Sequence, residues 1–222
     1  MKLLHALLLI ALFLAGCVKK EVQLPVIGVS GVAEVQNHSG IWLFYETSGE
    51  DSLAALNKNN KLLNTNWIFH IDKRLRMKQV IPHLEALQED RNKESFHKKE
   101  GMLNYFSYAN SSENALSLVP FPNTTFTFAV RYADLPLTPE EDSCLLVVEV
   151  REEGLMTGNT IAVMSTLEQE LFTLLPCKGP EKSKVRLVYE ENISYQSYLE
   201  VRARLASADI ALDPVECVYR VK

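Results

Sequence analysis

The chain is short of basic clusters, of cysteine, and of every compact spacing that announces a known chemistry. Its 23 Lys and Arg are outnumbered by 28 Asp and Glu, a formal net charge of −5. No basic run is long enough to follow a phosphate backbone, so nucleic acid is not an expected partner. With 9 Gly and 9 Pro in 222 residues it is neither collagen-like nor of low complexity, and 4 Cys exclude a disulfide-dense miniature fold. No C-x-x-C, H-E-x-x-H or G-x-S-x-G occurs, which removes the signatures of zinc knuckles, thioredoxin-like sites, zinc peptidases and α/β-hydrolase nucleophiles. His38, His70, His83 and His97 are read as solvent-facing or locally satisfied, and Ser107 and Ser111 lack a nucleophile's context. No catalytic residue, metal ligand or cofactor is expected. What remains, 47% apolar and 23% charged, is globular composition with length for one large or two small domains.

One long apolar run stands at the start. Lys2 is followed by about a dozen apolar residues closed by small ones, a secretory signal too short to span a bilayer comfortably. The tetrad Leu14-Ala15-Gly16-Cys17 resembles the lipobox of bacterial lipoproteins. That resemblance implies a diacylglyceryl group on the Cys17 thiol, removal of residues 1–16, and acylation of the new amine. Several acyl chains, at roughly 0.8 kcal/mol per buried methylene, hold where one does not. The expected address is the bacterial cell envelope, outer membrane before inner, with the body in the periplasm or at the cell surface. Residues 17–25 read as a short polar tether.

Apolar periodicity divides the rest into two units. In residues 143–222, Cys144–Val150 and Thr160–Met164 read as strands. Ser165 and Glu168 form a capping box for a helix bearing Leu167, Leu171 and Leu174. Lys184–Tyr189 is a half-buried strand, Ser194 caps a helix with Tyr195, Tyr198, Leu199 and Leu205 inward, and Glu216–Val221 is a strand. Residues 26–134 offer the same order: strands Val26–Val35 and Ile41–Tyr45, a helix Asp51–Asn57, a strand Trp67–Ile71, a helix Met77–Gln88 and a strand Asn104–Ala109. The halves align at an offset of 118: Leu53 on Leu171, Leu56 on Leu174, Asp72 on Glu190, Leu75 on Ile193, Met77 on Tyr195, Ile81 on Leu199 and Leu87 on Leu205. Ala115–Pro120 and Thr125–Ala133 read as added strands, forming a β-hairpin with Asn104–Ala109, and 135–142 as the linker. The expected fold is α/β (α+β), two small β-β-α-β-α-β mixed-sheet units in tandem with an extra hairpin between them.

The stretch Leu145 to Val221 resembles the periplasmic domain of the ExbD/TolR family, accessory proteins of proton-driven energy transduction. The likeness lies in strand–Gly154–strand, the helix containing Leu167-Glu168-Gln169-Glu170-Leu171, and the strand Val185–Tyr189 followed by an acidic residue, Ile193, Tyr195 and Tyr198-Leu199. It continues in the helix end Leu205-Ala206-Ser207-Ala208-Asp209-Ile210. It covers about 75 residues, and Ile68–Leu87 repeats its Asp72/Leu75/Met77/Val80 spacing. The family enters the membrane through a helix whose aspartate titrates during proton flow. Residues 1–16 hold no acidic residue, so the resemblance implies only the soluble role, dimerising and docking a protein or cell-wall polymer.

Cys144, Cys177 and Cys217 are an odd set for an oxidising compartment. In the expected fold Cys177 precedes one parallel strand and Cys217 opens its neighbour, which suggests a Cys177–Cys217 disulfide and leaves Cys144 as a buried thiol. Trp42-Leu43-Phe44-Tyr45 reads as sheet core before sugar platform. Asp72-Lys73-Arg74 and Lys98-Lys99-Glu100 read as turn and solvated charges, and Glu140-Glu141-Asp142 as part of the linker. The expectation is therefore a non-enzymatic, lipid-anchored scaffold or binding module, with homodimerisation through an open sheet edge. The alternatives are a cell-wall or glycan-acting lipoprotein enzyme, or a solute-binding lipoprotein with a cleft between its units.

Overall fold

The strands arise where β-branched and aromatic residues alternate with polar ones, and they assemble into two mixed sheets. The computed structural model describes residues 20–49, 51–57, 59–93, 101–137, 144–152, 154–157, 160–164, 166–177 and 183–220. The expected signal, Cys17, His97, Lys98-Lys99-Glu100, Glu140-Glu141-Asp142 and Ser165 of the expected capping box lie outside them.

The first sheet is formed by β1 (Val26–Ile27), β2 (His38–Ser48), β3 (Asp51–Leu56), β4 (Asn66–Ile71), β5 (Asn104–Asn110) and β6 (Ala115–Pro120), with helix α1 (Met77–Asn92) crossing from β4 to β5. The second comprises β7 (Thr125–Ala129), β8 (Leu145–Arg151), β9 (Gly154–Thr157), β10 (Thr160–Val163), β11 (Lys184–Glu190) and β12 (Val215–Tyr219), with α2 (Leu167–Leu174) before β11 and α3 (Tyr195–Ser207) after it. Both contain one frame. A hairpin pairs antiparallel (β2 with β3, β8 with β9), its first strand lies parallel to the next (β4, β11), and a helical crossover adds a further parallel strand (β5, β12). The fold is thus α/β, in two tandem mixed-sheet units.

Three expected elements differ. Asp51–Asn57 is not a helix: the chain reverses at Gly49 (φ +64°) and Asp51–Leu56 zips onto β2, Ser48 opposite Asp51 and Leu43 opposite Leu56. Six residues are too few to offset helix nucleation, and a ready strand partner decides. The alignment of Leu53 and Leu56 with Leu171 and Leu174 fails with it, strand against helix. Val26–Val35 is a strand only at Val26–Ile27, and β9 is an additional strand. Thr125–Ala129 does not join the hairpin: β5 and β6 form that hairpin, while β7 pairs parallel with β12. The chain therefore passes to the second sheet before residue 125, ahead of the expected linker. The turn Asn110–Asn114 is as expected, with Ser112 N–H donating to Asn110 Oδ1 at 3.0 Å and Asn114 at φ +50°.

The inward faces of both sheets feed one core. Phe69, Phe106 and Phe121 of the first unit meet Tyr195, Tyr198 and Leu199 of the second in a single buried cluster. Each such side chain contributes about 1.5–3 kcal/mol by leaving water, so neither unit retains its full core without the other.

Candidate functional site

The seam between the units is built from two helix starts. The first amides of an α-helix have no partner within it, and here the partners are exchanged. Met77 N–H donates to Ile193 O at 3.0 Å and Lys78 N–H to Glu191 O at 2.7 Å, while Tyr195 N–H donates to Leu75 O at 2.9 Å. Arg76 and Ser194 form an antiparallel bridge between these bonds. Leu75 aligns with Ile193 and Met77 with Tyr195 at the offset of 118, so the seam has near-twofold symmetry. Ser194 caps α3 as expected, its hydroxyl accepting from Ser197 N–H at 3.1 Å. Glu152 closes the seam: its carboxylate takes Ser194 N–H at 2.9 Å, the Ser194 and Ser197 hydroxyls, and Arg76 Nη1 at 2.8 Å. Burial pushes this carboxyl up, but the two serines and Arg76 outweigh it and hold it below the usual range. An anion at a helix start is also favoured by the helix dipole.

Beneath the seam lies a buried charge pair. Arg202 on α3 and Glu216 on β12 are each 1% exposed and ion-paired. Tyr189 and Tyr198 hydroxyls donate to the same carboxylate at 2.7 and 3.2 Å. The Arg202 guanidinium faces the rings of Phe121 at 5.3 Å and Phe106 at 6.0 Å, in the other unit. Burial pushes Glu216 up, against the pull of Arg202 and the two phenols. Sequence reasoning missed this network. Its signal was Arg202 on the stripe of Tyr195, Tyr198 and Leu199, one helical turn beyond Tyr198.

The expected cysteine pairing is corrected. Cys177 is bonded to Cys144, with Cα atoms 5.4 Å apart, and Cys217 is a free, buried thiol. Ser183 bonds Cys177 through its hydroxyl, and Lys184 N–H donates to Cys144 O, so Cys177 and Cys144 meet where β8 and β11 begin. Cys217 lies within β12 opposite Val188, deep along β11. The parallel starting edges were the right place, but β8 rather than β12 supplies the partner. Burial pushes the Cys217 thiol up.

The aromatic strand divides between two faces. Ile41 and Leu43 enter the core, while Trp42 and Phe44 are half-buried on the outward face. Trp42 stacks on His70 at 4.0 Å and lies 6.5 Å from Phe44, nearly parallel. Gly40 leaves room for this stack, since a Cβ there would come within 3.2 Å of Trp42 Nε1. His70 Nδ1 lies 2.8 Å from Ser107 Oγ, which also donates to Phe69 O. Ser107 is fully buried. Burial, with His38 nearby, lowers His70 to about 4. Ser111 donates its backbone N–H to Ile27 O.

The segment expected as a tether is not a free spacer from Lys20 onward. Lys20 pairs with Glu46, and its ammonium stands 5.8 Å above the Phe44 ring. Gln23 N–H donates to the buried Asp72 at 3.0 Å, and Lys73 N–H to Gln23 O at 2.8 Å. Asp72 also takes Arg74 Nε at 2.8 Å. Burial pushes Asp72 up, yet these donors hold it below the carboxylate range. Asp72 and Lys73, expected as part of a turn, thus clasp this segment at Gln23.

On the second unit a hollow of about 350 Å³ opens beside Glu149, Arg151, Glu152, Glu190 and Tyr219. Tyr219 donates to Glu149 at 2.6 Å and Arg151 pairs with it at 3.1 Å. Among the described residues no group of three His, Cys, Asp or Glu is placed to hold a metal, and no helix is long and apolar enough to cross a membrane. No protein-family model, curated protein or solved structure matches the chain.

Proposed function

We propose that the chain is an exported, lipid-anchored protein of the bacterial cell envelope that acts as a non-enzymatic scaffold or binding module, kin to the soluble domains of the ExbD/TolR family. The observation that carries this reading is the exchange of helix-start bonds across the seam, Met77 to Ile193 and Tyr195 to Leu75. With the shared core and the Arg202–Glu216 pair beneath it, this exchange fixes the units as one body. A two-lobed solute receptor needs lobes that hinge, and a hinge here would break backbone bonds and open an apolar core. The anchor is acylated Cys17, and the partner is a protein or cell-wall polymer met at the membrane.

Metabolic labelling with an alkyne fatty acid tests the anchor: the wild type takes the label and Cys17→Ser does not. Crosslinking in intact cells tests the role. A reproducible protein or intact-polymer partner supports the scaffold, and cell-wall glycan that the purified protein cleaves turns the reading to the glycan-acting enzyme. The hollow beside Glu149 and Glu190 favours a second reading, a small cationic solute bound on the second unit. Calorimetric titration with basic amino acids and polyamines would show it as saturable heat lost in Glu190→Gln.

A further inference from the structure

We propose that the outward face of the first sheet, around Trp42, Phe44 and Leu53, rests on the bilayer that holds the anchor. The inference rests on the anchored reading and adds an orientation to it. Trp42, Phe44 and Glu46 alternate on that face, and Leu53, opposite Glu46 on β3, is 52% exposed. Lys20 is seated on the same face, between Glu46 and the Phe44 ring.

Only three peptide steps separate Lys20 from Cys17, a reach of about 10 Å when fully extended. Because the chain is clasped at Gln23 by Asp72, that reach cannot be lengthened by paying out tether. Acyl chains on Cys17 therefore hold the backbone at Lys20 within about 10 Å of the headgroups, and the Lys20 side chain leads from there to Glu46 and the Phe44 ring. Side chains of the types found there suit that depth: aromatic rings partition to the interface, and the Glu46 carboxylate on this face has its charge answered by Lys20. The opposite face of the sheet is filled by the core shared with the second unit, so this seating turns the second unit away from the membrane.

Brominated phospholipid vesicles test the orientation, since bromine quenches only tryptophan that touches lipid. The mature acylated protein carries 2 Trp, and Trp67 is fully buried. The expected result is a loss of up to about half of the emission on brominated vesicles. That loss is expected to vanish in Trp42→Phe and to shrink when about ten Gly/Ser residues are inserted after Lys19. Leu53→Glu, at an exposed site, should reduce the quenching without affecting folding. Acylated protein that floats with vesicles but keeps its full emission overturns the orientation and leaves the anchor standing. A Cys17 peptide of unmodified mass overturns the anchor, and the orientation with it.

Discussion

The two units turn opposite characters outward on the same frame. Trp42 stands opposite His70 in the first sheet where Glu149 stands opposite Val188 in the second. Two residues on, Phe44 answers to Arg151. The second sheet's outer apolar residues, Val188 and Cys217, are covered by Leu135 and Leu137 of its own chain, and its uncovered end is the charged hollow. The first sheet keeps Trp42 and Phe44 half-exposed beside the tether. Inward, the contrast reverses: the second unit buries Arg202 and Glu216, while the face that meets them is Phe106 and Phe121. A repeated frame thus constrains strand order and the seam, and leaves each face free to diverge.

The sharpest way to break the comparison is to remove one member of the buried pair. Glu216→Ala is expected to cost about 3–5 kcal/mol, because it leaves the guanidinium buried and uncompensated. Arg202→Met with Glu216→Leu should recover much of that loss. Urea unfolding followed by circular dichroism reads both, and a single mutant within about 1 kcal/mol of wild type would make the pair incidental.

The disulfide sharpens the contrast next, since only the second unit has one. Opening the Cys144–Cys177 link, with a sequence separation of 33, is expected to cost about 3–4 kcal/mol from loop-closure entropy. Peptide mapping without reduction should find that link and a free Cys217, and a Cys177–Cys217 peptide would refute the assignment.

Acid should act on the first unit through His70. Its folded pKa of about 4 lies below the ordinary 6.5, so the unfolded chain takes the proton first. Its contribution is full above pH 6.5 and is lost as pH falls toward 4, by up to about 3 kcal/mol. Comparing urea midpoints of wild type and His70→Phe at pH 7.5 and 4.5 isolates this share, and parallel declines would exclude it.

The smallest effect belongs to the seam. Glu152→Ala should cost about 1 kcal/mol, since the carboxylate is half-exposed and its ion pair screened. Hydrogen exchange should nevertheless quicken at Ser194 and Ser197, the residues it binds, while amides of β4 and β11 keep their protection.

Legibility followed the reach of the interactions. The elements set by local periodicity, α1, α3, β4 and β11, are where the pattern of apolar residues places them, and the Ser194 cap with them. The offset of Asp72–Leu87 against Glu190–Leu205 is now visible as the near-twofold seam. Asp51–Asn57, expected as a helix, carries a pattern that suits a single helical turn or a short strand, and only the pairing with β2 selects between them. Arg202 was overlooked because a charge on an apolar stripe looks like a boundary until its partner, fourteen residues away on β12, is in view.

By itself the sequence determined the α/β class, the two tandem mixed-sheet units, and the helices whose 3.6-residue period points one face inward. Tertiary structure alone decided which sheet Thr125–Ala129 joins, which cysteine Cys177 meets, and how two helix starts trade their unpaired amides. The reason is that periodicity is written between near neighbours, whereas strand order, a disulfide and a buried ion pair depend on which distant segments the folded chain brings together.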